Sequence, residues 1–138
     1  MITGQETNIV HFSNIIQTDT TYRRAFERIQ PILDKHGINY KFLDNTKDIW
    51  CRDYMPIQIN QNKYIQFRYE PSYLKRHLKY QSDPREVLKT NGLLADFSPI
   101  NLDGGNVVNC SDKTILTTRI FEENSDWDST QLLNKLEE

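Results

Sequence analysis

The chain has 138 residues, enough for one domain with a real core and too few for two ordinary ones. Its 17 Lys and Arg against 19 Asp and Glu leave a formal net charge of -2, with no basic stripe of the kind that follows a nucleic-acid backbone, so nucleic acid is not expected as a partner. The apolar share of 37% is low, but aromatics at 11% carry much core area per residue, which places the chain among globular sequences and not disordered ones.

In chain order, NIVHFSNIIQ (8–17) is rich in Ile, Val and Phe and predicts a strand, followed at once by a capping candidate in Thr18-Asp19-Thr20. From Thr21 the residues Tyr22, Ala25, Phe26, Ile29, Ile32 and Leu33 recur at helical intervals, and Gly37 is the stop. Pro31 falls inside this helix, where a proline costs about 3 kcal/mol, so a kink or a tighter last turn is expected. INYKFLD (38–44) alternates as a strand, and YMPIQINQNKYIQFRYEP (54–71) reads as a hairpin turning at 60–62, with Ile65, Phe67 and Tyr69 on one face. Residues 72–92 carry a second helical region broken at Asp83-Pro84, and FSPINL, NVVNC and KTILTTRIF supply further strand-like pieces. A last helix starts at Asp128 or Ser129 and places Leu132, Leu133 and Leu136 on one side. About ten residues without a C-terminal cap make a marginal helix, which suggests a polypeptide cut from a longer protein.

No apolar run approaches the roughly 20 residues of a bilayer span, and the opening MITGQETNIVHFSN lacks a basic start followed by an apolar block. A cytoplasmic location without a membrane partner is the expectation. Cys51 and Cys110 form no disulfide framework, and neither lies in a spacing that reads as zinc.

Two segments could carry chemistry. In DIWCRDYMPIQI (48–59) an acid and an arginine stand side by side among large apolar residues, and Asp53 is placed where a strand opens into a turn. The structural alternative is that Asp53 pairs with Arg52 or caps the turn. In NLDGGNVV (101–108) the glycines after Asp103 permit positive φ and close backbone approach, although a plain hairpin turn explains them equally well. A calcium loop fits poorly, because Val107 occupies a position where an oxygen ligand is required.

Taken together, Trp50-Cys51-Arg52-Asp53, then Leu102-Asp103-Gly104-Gly105-Asn106 about fifty residues on, then Thr114-Ile115-Leu116-Thr117-Thr118, form three ordered landmarks. The pattern resembles the agmatine deiminase and bacterial peptidylarginine deiminase family of guanidine-modifying enzymes. EENSDWDSTQLLNKLEE (122–138) is similar to the family's next feature, a short Asn-containing loop leading into a helix. The resemblance implies an α/β fold, a partial pentein or α/β-propeller of about two to three strand-strand-helix-strand modules. Residues 1–138 would be the N-terminal part of a single catalytic domain. It implies hydrolysis of a guanidinium C–N bond with ammonia release through a cysteine thiouronium, as from agmatine to N-carbamoylputrescine in putrescine biosynthesis or from peptidyl-arginine to citrulline, without a metal or organic cofactor.

A guanidinium is planar, always charged, and presents paired N–H donors that match a carboxylate bidentately. By the resemblance Asp53 would grip it, and Asp103, where relatives often have Glu, would contribute a second carboxylate with one methylene less reach. Two carboxylates in an empty pocket repel, which raises at least one pKa until a cation arrives. Arg52 would orient Asp53 or hold a substrate carboxylate. Trp50 is expected to pack between modules, with flanking of the substrate's aliphatic stem as the alternative. Asn106 belongs to the same substrate-binding set, on the Gly104-Gly105 turn.

The family's acid/base comes in a His-x-Asp segment and its nucleophile from a cysteine near the far C-terminus. His11, His36 and His77 each lack an acid two positions on, and Cys51 and Cys110 read as small buried or half-buried residues. The chain is therefore expected to hold one wall of a guanidinium site and to be inactive alone. Exposed strand edges make self-association a hazard. An amidinotransferase of the same superfamily and a non-catalytic guanidinium-binding or interaction module are the alternatives.

Overall fold

A computed structural model describes residues 6–110 and 113–137. Residues 1–5, at the head of the segment read above for a leader, and Glu138, at the end of the last predicted helix, lie outside the described residues.

The first unit is β-α-β. Strand β1 (Ile9–Ser13) pairs in parallel with β2 (Asn39–Leu43), from Ile9 opposite Asn39 to Ser13 opposite Leu43. Between them run a single turn, α1 (Ile15–Thr18), and the long helix α2 (Thr20–Lys35). The predicted strand thus stops at Ser13, whose hydroxyl accepts from the Ile15 N–H and so helps turn the chain into α1. Asp19 caps α2 by accepting from the backbone N–H groups of Thr21 and Tyr22 at 2.8 and 3.4 Å, and Gly37 closes it at φ 62°. Pro31 does not end the helix, which runs through it to Lys35. Phe26 meets Phe12, Tyr40 and Phe42 at ring centroid distances of 5.5, 5.7 and 5.2 Å, in the edge-on geometry that aromatic quadrupoles favour. Only Phe26 and Leu33 of the predicted apolar face are buried. Tyr22, Ile29 and Ile32 stay exposed because two strands make too narrow a sheet to cover the whole face.

The second unit is one complete strand-strand-helix-strand module. Strand β3 (Ile57–Asn60) turns back into β4 (Lys63–Arg68), and β5 (Asp96–Asn101) joins β4 in parallel, giving the order β3-β4-β5. The connection is not the broken helix predicted for 72–92. Two short 3-10 turns, Ser72–Leu74 and Leu78–Tyr80, cross the surface before helix α4 (Pro84–Thr90), which Asp83 caps and Pro84 opens. A third, partial module follows: β6 (Val107–Cys110) and β7 (Lys113–Leu116) form a hairpin, then come α5 (Arg119–Glu122) and α6 (Ser129–Glu137). Residues 119–121, predicted as the end of a strand, lie in the helix α5 instead. In α6 Leu132 is buried and Leu136 half-buried, but Leu133 is exposed.

Two apolar clusters result. Leu43, Cys51, Tyr54, Tyr69 and Val87 make the first, and Ile57, Ile100, Leu102, Val107, Ile120 and Leu132 make the second. The first candidate segment gives Cys51 and Tyr54 to the first cluster and Ile57 to the second, and the other gives Leu102 and Val107 to the second.

Candidate functional site

Residues 50–55 do not form the strand end expected from their sequence. Cys51–Tyr54 is a one-turn helix, α3, because both of its apolar residues turn into the first cluster. The Tyr54 hydroxyl donates to the Asp48 carbonyl at 3.1 Å, which leaves the Cys51 thiol to donate to Tyr54 Oη at 3.3 Å. The Asp48 carboxylate accepts from the Trp50 N–H at 2.9 Å. The approach to α3 is tied down as well: the Asp44 N–H donates to Asn91 Oδ1 and the Lys47 N–H to Ser82 Oγ.

The Asp103-Gly104-Gly105-Asn106 turn hangs from the second cluster through Leu102 and Val107. Its glycines do not supply positive φ. They supply room: a Cβ on Gly104 would overlap the Arg52 carbonyl oxygen, and one on Gly105 would overlap an Asp53 carboxylate oxygen. Arg52 completes the dock, donating from Nε to the Gly104 carbonyl at 3.0 Å and from Nη2 to the Val107 carbonyl at 2.8 Å. Arg52 therefore stitches the two segments together. Asn106 is turned to the hairpin, where its Oδ1 accepts from the Thr117 N–H and hydroxyl at 3.2 and 2.6 Å. That pair explains physically why a Gly-Gly-Asn turn and a Leu-Thr-Thr strand end occur together.

Asp53 and Asp103 meet at this seam. Asp53 is half-buried and lines an open cleft of about 800 Å³ with Asp19, Asp48, Trp50, Tyr69 and Tyr73. Asp103 does not line that cleft. It stands behind Asp53, with Oδ1 accepting from the Gly105 N–H at 2.8 Å and Oδ2 from the Tyr73 hydroxyl at 2.9 Å. Trp50 is 65% exposed at the cleft and is not packed between modules as expected.

The electrostatics follow from this placement. Burial, then the Asp103 charge and the hydrogen bond shared with it, then the Asp48 charge push Asp53 up to about 7, against the opposing Arg52 guanidinium. Asp48 is also raised, by burial first. Burial leads in pushing the Tyr73 hydroxyl up to about 12, so at neutral pH it keeps its proton and donates. The cleft thus gathers Asp19, Asp48 and Asp53 with one lysine, Lys47, in its lining.

What the cleft lacks is equally plain among the described residues. No cysteine or histidine lines it, and no group of three or more His, Cys, Asp or Glu is placed to hold a metal. Cys51 is buried, its thiol pushed up first by burial. Cys110, expected to be buried or half-buried, is exposed at the end of β6, in a two-stranded pairing with β7. His11 is half-buried in β1, while His36 and His77 are exposed.

The acidic seam, its glycine turn and the complete module between them can be compared with known proteins. The solved C. jejuni agmatine deiminase aligns with 94% of this chain and 49% of its own, at a TM-score of 0.60 and 15% sequence identity. The chain has a pentein-like fold. It spans about half the length of that deiminase. No protein-family description and no curated protein matches it. Within the pentein-like frame, sequence reasoning reached Asp53, Asp103 and their glycines but missed Asp48, Tyr69 and Tyr73. Asp48 lay in the same segment as Asp53, and Tyr69 and Tyr73 follow the second strand of the hairpin at a spacing of four. No helix among the described residues is long and apolar enough to cross a membrane.

Proposed function

We propose that this chain supplies the guanidinium-holding part of a deiminase of the agmatine and peptidylarginine class, as the N-terminal portion of a pentein catalytic domain. The observation that carries the reading is Asp53: a half-buried carboxylate aimed into an aromatic cleft and destabilised there until a cation arrives. A planar guanidinium answers it with two parallel N–H donors, and the exposed Trp50 at the cleft suits the ligand's aliphatic stem.

Binding is only half of such a reaction. Deimination needs a thiolate to attack the guanidinium carbon and an acid/base to protonate the departing ammonia and activate water. Cys51 is bonded to Tyr54 inside the core, and Cys110 lies on β6 away from the cleft lining. The chain alone therefore binds without turnover. This separation of binding from chemistry also supports a second reading, a guanidinium-binding module that does no chemistry.

Calorimetry with agmatine, arginine and putrescine tests the proposal. Agmatine should bind better than putrescine, which carries the same charge without the planar fork. Asp53→Ala should weaken agmatine by about 100-fold or more, the scale of removing one partner of a buried charge pair. The chain should release no ammonia. Equal affinity for agmatine and putrescine, or an Asp53→Ala variant that binds like the wild type, defeats the guanidinium reading, and ammonia release defeats the claim of inactivity.

A further inference from the structure

The two acids at the seam are not equivalent. Asp53 opens on the cleft, whereas both oxygens of Asp103 are taken up by donors of the chain itself, the Gly105 N–H and the Tyr73 hydroxyl. Tyr73 is in turn fixed from two sides. Its hydroxyl lies 3.4 Å from that of Tyr69, and the Arg119 guanidinium lies over its ring, 5.4 Å from the centroid. The residue before it is anchored to α5, with Ser72 donating to Glu123 from its N–H and hydroxyl while Arg119 pairs with Glu123 at 3.1 Å. Asp103 is held as a fixed group, with one donor of the chain on each of its oxygens.

Resting on the guanidinium reading, we propose that Asp103 is a positioning residue: an anion behind Asp53, held by Tyr73 and Gly105, that never grips the cation and makes capture of the cation expel a proton from Asp53. The groups facing Asp53 support this assignment. Asp48 comes from its own loop and Asp103 from the glycine turn, both negative; Arg52 opposes them but is committed to the carbonyls of Gly104 and Val107; Tyr69 and Tyr73 are neutral; Asp19 and Lys47 line the same cleft. Without ligand, Asp53 keeps its proton to higher pH than an ordinary carboxyl, through burial first and then the Asp103 charge and the hydrogen bond shared with it. When a guanidinium enters, Asp53 gives that proton to solvent and its carboxylate takes the two N–H donors, so one positive charge replaces another and no covalent bond of the ligand changes.

Asp103→Asn tests the assignment, since an amide keeps the shape and the bond from Gly105 while removing the charge. In the ligand-free protein, carboxyl-carbon NMR should show the Asp53 titration midpoint falling by about one unit or more in the variant. Agmatine affinity should be unchanged near about pH 8 and about tenfold tighter than wild type near about pH 5.5, because less proton must be displaced. Tyr73→Phe, which keeps the ring but frees an Asp103 oxygen, should reduce the protons released per agmatine bound near neutral pH. An Asp103→Asn variant that loses affinity equally at every pH makes Asp103 a direct ligand and overturns the proposal, as does an Asp53 midpoint that does not move. A wild type that binds no agmatine at any pH fails the guanidinium reading instead, and the NMR midpoint still decides the role of Asp103.

Discussion

Two hollows of nearly equal size, about 800 and about 850 Å³, open on this molecule, and they differ in charge: acids outnumber Lys47 in the first, whereas Lys63 and Lys135 balance Asp96 and Glu137 in the second. The first is the acid cleft, lined by Asp19, Asp48 and Asp53 among tyrosines. The second lies between the three-stranded sheet, the β6–β7 hairpin and α6, and Ile57, Ile65, Phe67, Leu116 and Leu136 line it. Volume alone does not separate them. In the first, charged groups are held at a loss of stability by a dock of glycines and an arginine, which is the mark of a site prepared for a ligand. In the second, apolar residues sit where core packing stops, which is the mark of a surface awaiting cover.

The sharpest way to break the contrast is at the dock. Gly104 lies against the Arg52 carbonyl with no space for a methyl group, so Gly104→Ala must push α3 away from the turn. Overpacking of this kind costs about 1–3 kcal/mol, and here it also pulls Asp53 from Asp103. The expected result is a lower Tm, loss of agmatine binding, and an apolar groove unchanged in its binding of a hydrophobic dye. A Gly104→Ala protein as stable as the wild type would show that the two segments are not docked as described.

A second experiment measures the loss of stability directly. Asp53 is raised from 3.8 to about 7 in the fold. The folded state therefore holds this proton to higher pH than the unfolded chain, and the associated stability is complete below about pH 4 and gone above about pH 7. Asp53→Asn imitates the protonated acid at every pH. It should exceed wild type in stability by about 1–2 kcal/mol near about pH 8, a figure reduced for the solvent that reaches this half-exposed carboxyl, and match it near about pH 4. Urea unfolding at the two pH values checks this. A constant gap would mean that the gain is packing and not charge.

The sequence made the cleft more legible than the groove, for a physical reason. Gly104 and Gly105 are needed where backbones nearly touch, and Asp53 beside Arg52 is unusual among apolar neighbours, so local letters carried the signal. Of the two reasons read for these glycines, positive φ fails and close approach holds, but its partners, Arg52 and Asp53, lie about fifty positions away and could not be named from local letters. Nothing local shows that Tyr73, thirty residues earlier in the chain, donates to an oxygen of Asp103. Helix α2 was legible from its period and its Asp19 cap, yet its exposed Ile29 and Ile32 were not, since the width of the covering sheet is a tertiary fact. The 72–82 stretch shows the same limit: its helical pattern is overridden where Gln81 Nε2 donates to the Tyr69 carbonyl and Ser72 is drawn to Glu123.

The smallest expected effect belongs to the groove. Leu133 lines it and is 44% exposed, while Ile115, 58% exposed, lies on the opposite face of β7 from the lining Thr114 and Leu116, so replacing them by Thr and Asn removes little buried area. Exposed substitutions of this kind stay within about 0.5 kcal/mol. Folding stability and agmatine affinity should both hold. What should change is association: strands β3 and β5 are the edges of their sheet, and β6–β7 stands as a two-stranded ribbon, so apolar surface and unpaired backbone groups lie side by side. Light scattering across a concentration series should show the wild type growing in mass and the Ile115→Thr/Leu133→Asn protein growing less. If both associate alike, the contact runs through strand edges and not through the groove. A variant with edge lysines on β5 then separates backbone pairing from apolar contact, while the acid cleft, on another part of the surface, keeps its pH-dependent binding throughout.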